Sequence, residues 1–168
     1  MDSDRLNRWL TLGANIGVLV GIILLIVELD QNRQAVQAQT RSNLSQGIVD
    51  YMSVVAGDGE LASLRRRIDL GEEATEDEQY QYSLITRALV RYWENVHYQY
   101  RKGLYDESEF AAHREAWRDY FAFSQAIVEF WCGTRHSMSR EFAEEIDGLL
   151  TTYNCSTIEA SGGQRRTD

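Results

Sequence analysis

The chain contains no proline. Average usage near 5% would supply about eight in a chain of this size. Nothing therefore removes a helical donor or clashes with a preceding turn, and long helices are permitted throughout. Cysteine is nearly as scarce. Cys132 and Cys155 are the only two, too few for a disulfide framework. Cys132, directly after Phe130-Trp131, reads as a buried small hydrophobe. No sustained period-two alternation bounded by turn residues occurs, so no sheet is expected. Basic charge is short as well, with 17 Lys and Arg against 26 Asp and Glu and a net charge of −9. Asp2, Asp4, Arg5 and Arg8 cancel, which leaves the whole excess on residues 28–168. Such a domain would add to phosphate repulsion, which excludes nucleic acid as a partner. Arg65-Arg66-Arg67 is a local exception and reads as a solvated helix face, since a headgroup contact usually needs a larger basic cluster.

One long apolar run is present. Trp9–Val27 holds 19 residues without a charge, and a helix of that length rises roughly 28 Å, close to the hydrocarbon thickness of a bilayer. A secretory apolar region is usually about 7–15 residues and ends near a small-residue cleavage site. This run is longer and passes straight into Glu28-Leu29-Asp30, so it reads as an uncleaved anchor. Gly13, Gly17 and Gly21 fall on one side of it, and Thr11 and Asn15 fall opposite. A small-xxx-small ridge admits a second helix backbone, and Asn15 offers an interhelical hydrogen bond, so Gly13, Gly17, Gly21 and Asn15 are the expected helix–helix packing residues. Arg5 and Arg8 before the span balance Arg33 and Arg41 after it, so charge bias leaves orientation open. The lack of a disulfide framework tips the expectation toward a cytoplasmic domain.

Local signals divide the rest. Residues 1–8 form a short tail, 9–27 a transmembrane helix, 28–56 a helix linking membrane to bundle, 57–155 a soluble helical bundle, and 156–168 a disordered tail. A core-facing stripe begins near Leu44. Gly57-Asp58-Gly59 breaks the first helix, and a short helix over about Glu60–Leu70 precedes Gly71. Thr75 with Glu78 makes a capping box that opens a helix running to about Lys102, closed by Gly103. Asp106 caps a helix to about Phe121. A further helix near Ser124–Cys132 is expected to end at Gly133, and Ser139 to cap a last one carrying Phe142, Ile146, Leu149 and Leu150. The fold class is all-α, an N-terminal transmembrane helix continuing into a small multi-helix bundle.

The apolar anchor entering Glu28-Leu29-Asp30-Gln31-Asn32-Arg33, the stretch from Arg91-Tyr92-Trp93-Glu94 to Tyr100-Arg101, and Gly103-Leu104-Tyr105-Asp106 together resemble a broad family of uncharacterised bacterial single-pass membrane proteins. The likeness covers most of residues 9–150. It implies bacterial origin, an inner-membrane location and a helical soluble domain, and it transfers no catalytic residue.

Candidate chemistry is sparse. Glu94 and His97, three apart on a helix, share a face, and di-iron carboxylate bundles use a Glu-x-x-His from each of two helices. No second copy exists, so the pair reads as a hydrogen-bonded structural contact and only a weak metal candidate. Cys132 and His136 are separated by a glycine, and no glycine-rich turn follows a strand. No cofactor and no catalytic residue are assigned. Tyr92, Trp93, Tyr98, Tyr100, Trp117, Tyr120, Phe121, Phe123, Phe130 and Trp131 form an aromatic group that reads first as core and second as the wall of a ligand pocket. The leading expectation is a membrane-anchored, self-associating interaction or regulatory module with the lipid bilayer, a second copy and another protein as partners. The alternatives are a ligand- or metal-binding bundle using the Glu94/His97 face, enzymatic or not, and a small pore-forming oligomer.

Overall fold

The computed structural model describes residues 3–150 and Cys155. Among them are six α-helices and no strand: α1 (Ser3–Gly57), α2 (Gly59–Asp69), α3 (Glu76–Arg101), α4 (Glu107–Phe123), α5 (Gln125–Thr134) and α6 (Arg140–Leu149), with a 3-10 turn at Arg135–Ser137 between the last two. The protein is all-α. The tail expected from Ser156 onward lies outside the described residues.

Two compact units divide the chain, residues 1–39 and residues 40–168. The first is the N-terminal part of α1, whose apolar window is long enough to cross a membrane and has none of its residues buried within the chain. The second is the bundle. It begins at Thr40 rather than at residue 57, because the last turns of α1 supply core residues. Leu44 is buried, and Ile48 and Tyr51 pack against the same core.

Local chemistry accounts for most helix ends. Asp58 accepts from the backbone N–H groups of Glu60 and Leu61 and opens α2. Thr75 and Glu78 form a reciprocal capping box at α3, and the Asp106 carboxylate caps α4 through Ser108 and Glu109. Gly71 and Gly103 follow α2 and α3 in the left-handed region, at φ 84° and 69°, where a residue without Cβ carries no penalty.

Two expected ends are corrected. Gly133 does not end α5, which runs through it to Thr134 and on into the 3-10 turn. The described non-terminating glycines, Gly133 among them, do not take positive φ. Ser139 stands at the start of α6 without a capping bond from its own side chain. Glu94 of α3 instead holds the Ser139 backbone, its Oε1 accepting the Ser139 N–H at 2.6 Å.

Aromatic side chains fill the centre. Trp131 and Phe142 are fully buried, with ring centroids 5.6 Å apart, and Trp93 stacks on Trp117 at 5.7 Å. A smaller cluster of Leu61, Leu64, Ile68 and Tyr82 joins α2 to α3. The reading of the cysteines is also corrected. Cys132 is buried, but it is paired with Cys155 in a disulfide with Cα atoms 5.1 Å apart, which ties α5 to the chain beyond α6. The argument for a cytoplasmic domain thereby loses its premise.

Candidate ligand cavity

Four helices of the bundle enclose a cavity of about 560 Å³. Each long wall is one helical stripe. Ile48, Tyr51, Met52 and Val55 come from α1, Leu89, Tyr92 and Trp93 from α3, and His113, Ala116, Trp117 and Tyr120 from α4. Residues at i, i+3, i+4 and i+7 share a helix face, so each set lines the space without any loop contribution. Arg65 is the contribution of α2. Leu89, Trp93 and Trp117 are buried, whereas Met52 and Ala116 are exposed.

Arg65 does not lie on a solvated face. Its side chain is only 12% exposed, and its guanidinium carbon sits 5.5 Å from the Tyr51 ring centroid and 5.3 Å from that of Tyr120. Cation–π attraction of this kind strengthens as water is removed. Arg66 is exposed and Arg67 pairs with Glu78, so the run of three arginines splits among three environments. Burial pushes the Arg65 pKa down and the nearby Asp69 charge opposes the shift, but a guanidinium remains cationic in proteins.

Beside Arg65 is a saturated carboxylate. Asp69 Oδ1 accepts the hydroxyls of Tyr82 and Ser124, both at 2.7 Å, and Oδ2 accepts the Tyr120 hydroxyl at 3.2 Å. Arg65 Nε lies 3.5 Å from Oδ2. One side chain thus joins α2, α3, α4 and the start of α5. Burial, then the hydrogen bond and charge of Asp69, push the Tyr82 hydroxyl up to about 12. Burial alone takes Tyr120 to about 12. Tyr92 is also pushed up to about 12, by burial and then by Tyr105. All three keep their protons at neutral pH, and Tyr82 and Tyr120 donate theirs to Asp69.

His113 accompanies them on the cavity wall, its Nε2 3.1 Å from the Tyr105 hydroxyl. Burial lowers its pKa, opposed by Glu109, which favours the neutral imidazole. Four buried side-chain polar atoms lack a partner among the described residues: Tyr51 Oη, Arg65 Nη1, Thr86 Oγ1 and Trp117 Nε1. Three of them belong to residues that line the cavity.

Glu94 and His97 are each engaged by other groups. Glu94 accepts from Ser139 and from Arg91 Nη1 at 2.5 Å. Burial pushes its pKa up, but these bonds outweigh burial and leave it below the ordinary carboxylate value. His97 is buried with its ring centroid 5.9 Å from that of Phe110 and 5.6 Å from that of Phe142. Among the described residues no group of three or more His, Cys, Asp or Glu is placed to hold a metal ion. Cys132 is committed to its disulfide and offers no nucleophile.

Gly13, Gly17 and Gly21 form an open ridge, where an added Cβ would meet nothing within 4 Å. Thr11 on the opposite side donates its hydroxyl to the Asn7 carbonyl of its own helix at 2.9 Å.

Of the cavity residues, Tyr92, Trp93, Trp117 and Tyr120 stand out in the sequence as aromatics at helical spacing. Tyr51, Arg65 and His113 do not. The signal for two of them is present in the i, i+3, i+4, i+7 sets beginning at Ile48 and His113. Arg65 carries no signal, since its neighbours in sequence are two exposed or half-exposed arginines. Compared with family models, curated proteins and solved structures, the chain matches none.

Proposed function

We propose that the chain is a membrane-anchored, self-associating helical module that binds a small apolar molecule inside its bundle. The observation that carries this reading is the cavity of about 560 Å³ walled by Tyr51, Tyr92, Trp93, Trp117 and Tyr120. Ligand sites are typically concave, mostly apolar spaces of roughly 300–1,000 Å³ with a few polar groups. The binding alternative therefore moves away from the Glu94/His97 face, where Glu94 is occupied by Ser139 and Arg91.

Anchoring draws support from the apolar window of α1, none of which is buried against the described residues. Self-association draws support from the glycine ridge, because in lipid close backbone packing replaces the hydrophobic drive. The Cys132–Cys155 disulfide supports a bundle on the oxidising side of an inner membrane, where such bonds form and persist.

Native mass spectrometry of the full chain released from its own membranes tests the binding reading. Wild type should carry a small-molecule adduct, and Ala116→Trp, which adds bulk at an exposed lining position, should lose it while melting at a similar temperature. Empty wild type, or an adduct unchanged in Ala116→Trp, would overturn the cavity as the site. Crosslinking in native membranes tests the anchor. Gly17→Ile should strongly reduce a crosslinked ladder present in wild type, and equal ladders would remove the ridge as the interface.

A further inference from the structure

We infer that the cavity takes an amphiphilic monoanion, an apolar body ending in one carboxylate or phosphate head, with Arg65 as its counter-charge. This inference rests on the binding reading above and adds the ligand's charge and shape to it.

The first support is the charge inventory. The chain carries 26 Asp and Glu against 17 Lys and Arg, yet no acid is among the cavity-lining residues, and the ionisable bases there are Arg65 and His113. An acidic protein thus lines one concave space with no carboxylate and with a guanidinium whose neighbouring counter-charge, Asp69, is shared among three hydroxyls. A cationic ligand would face that guanidinium with no counter-charge on the wall. A negative head is attracted, and most strongly where water is excluded.

The second support is unused hydrogen-bonding capacity. Among the described residues Arg65 Nη1 has no partner, and the same holds for Tyr51 Oη and Trp117 Nε1. These three atoms have almost no accessible surface, so a head group completes them only where a side-chain shift opens them to the cavity, and they are then satisfied as buried polar groups nearly always are. Guanidinium and indole N–H groups only donate, and a phenol donates readily. Their shared complement is an acceptor-only group such as an ionised carboxylate. Charge-assisted bonds from a guanidinium to carboxylate or phosphate are among the stronger ones available.

The third support is that Arg65 is already positioned. The rings of Tyr51 and Tyr120 flank it at 5.5 and 5.3 Å, and Asp69 holds its Nε edge at 3.5 Å. Asp69 is itself shared among three hydroxyls and meets only the Nε edge, so Nη1 is left without a partner among the described residues. The aliphatic side chains of Ile48, Met52, Val55 and Leu89 suit the apolar body. Such an anion could be a fatty acid released from a bilayer or a soluble aromatic acid, and the chemistry at Arg65 is common to both.

The test uses the full chain in phosphatidylcholine nanodiscs and a diazirine-bearing oleate as photolabel, with labelled peptides located by mass spectrometry. Label is expected on the cavity stretches of α1, α3 or α4. Unlabelled oleate should compete at least tenfold better than oleyl alcohol, which has the same body without the charge. Arg65→Gln should collapse that preference to about onefold. The oleate-to-alcohol ratio in wild type decides the matter independently if Arg65→Gln does not fold. Competition by 1-naphthoate as strong as that by oleate would support the inference with a soluble aromatic acid as source, and competition by oleate alone would support it with a lipid source. Equal competition by oleate and oleyl alcohol, with label in the cavity, would overturn the anionic ligand and leave the binding reading standing. Label elsewhere and unaffected by Ala116→Trp would overturn both.

Discussion

Within the bundle, Asp69 takes hydroxyls from Tyr82, Ser124 and Tyr120 and lies beside Arg65, whereas Tyr51 Oη, Trp117 Nε1 and Arg65 Nη1 are buried without a partner among the described residues. Arg65 belongs to both neighbourhoods. The same contrast runs through the indoles, since Trp131 Nε1 donates to Asp147 at 2.9 Å while Trp117 Nε1 has no acceptor among the described residues. Burial alone does not separate the two regions, because aromatic rings pack around both. The difference is in acceptors. At the Asp69 corner one carboxylate accepts three hydroxyls, and among the residues that line the cavity there are donors and no carboxylate. The incomplete region is therefore the place to look for a ligand.

The comparison is broken most directly at Asp69. Replacing it by alanine strands the Tyr82 and Ser124 hydroxyls and leaves Arg65 buried without its counter-charge. Removing one partner of a buried charged contact costs about 3–5 kcal/mol, so Asp69→Ala should lower chemical-denaturation stability by that amount. A loss near zero would show that the corner is not a structural knot.

A smaller effect sharpens it. Tyr82→Phe removes a donor to a carboxylate, and hydrogen bonds to charged groups contribute about 1.5–3 kcal/mol. Tyr51→Phe removes a buried hydroxyl with no partner among the described residues and should be neutral or stabilising, with no loss above about 0.5 kcal/mol. Equal losses in the two variants, read from matched denaturation curves, would erase the distinction between the regions.

The smallest effect is in pH. Burial lowers the pKa of His97 and of His113 below the ordinary imidazole value. Glu145, Glu141 and Glu94 oppose the shift at His97, Arg101 reinforces it, and Glu109 opposes it at His113. A folded pKa below the unfolded one means that the unfolded chain takes up protons first as pH falls. Stability is then full above the unfolded value of about 6.5 and declines as pH drops through the window between the two pKa values. The melting midpoint should fall between pH 7.5 and 5.5, and His97→Phe should flatten that decline. An unchanged midpoint across the range would contradict burial of neutral imidazoles.

Much of the fold was legible because it is local. Thr75 with Glu78 and Asp106 cap helices through bonds to N–H groups two or three residues away, and the absence of proline leaves nothing to interrupt the turns beyond each cap. Gly71 and Gly103 stop helices for reasons of their own backbone. Gly133 carries the same residue type and does not stop one, since the segment after it continues into the turn that ends at Met138. The misread start of α6 has a similar origin. Ser139 has the right chemistry to cap, but Glu94, 45 positions earlier in the chain, instead holds its backbone N–H. No window of sequence contains both.

The amino-acid sequence by itself determined the helical class, most helix ends and the apolar run of Trp9–Val27, because each depends on bonds or hydropathy within a few turns of one helix. Tertiary structure alone decided which arginine of Arg65-Arg66-Arg67 is buried between Tyr51 and Tyr120, that Asp69 gathers three hydroxyls, and that Cys132 meets Cys155. Each of these depends on residues from different helices arriving at one point. Side-chain chemistry offers many partners of equal strength, and only the packing of aromatic faces selects among them.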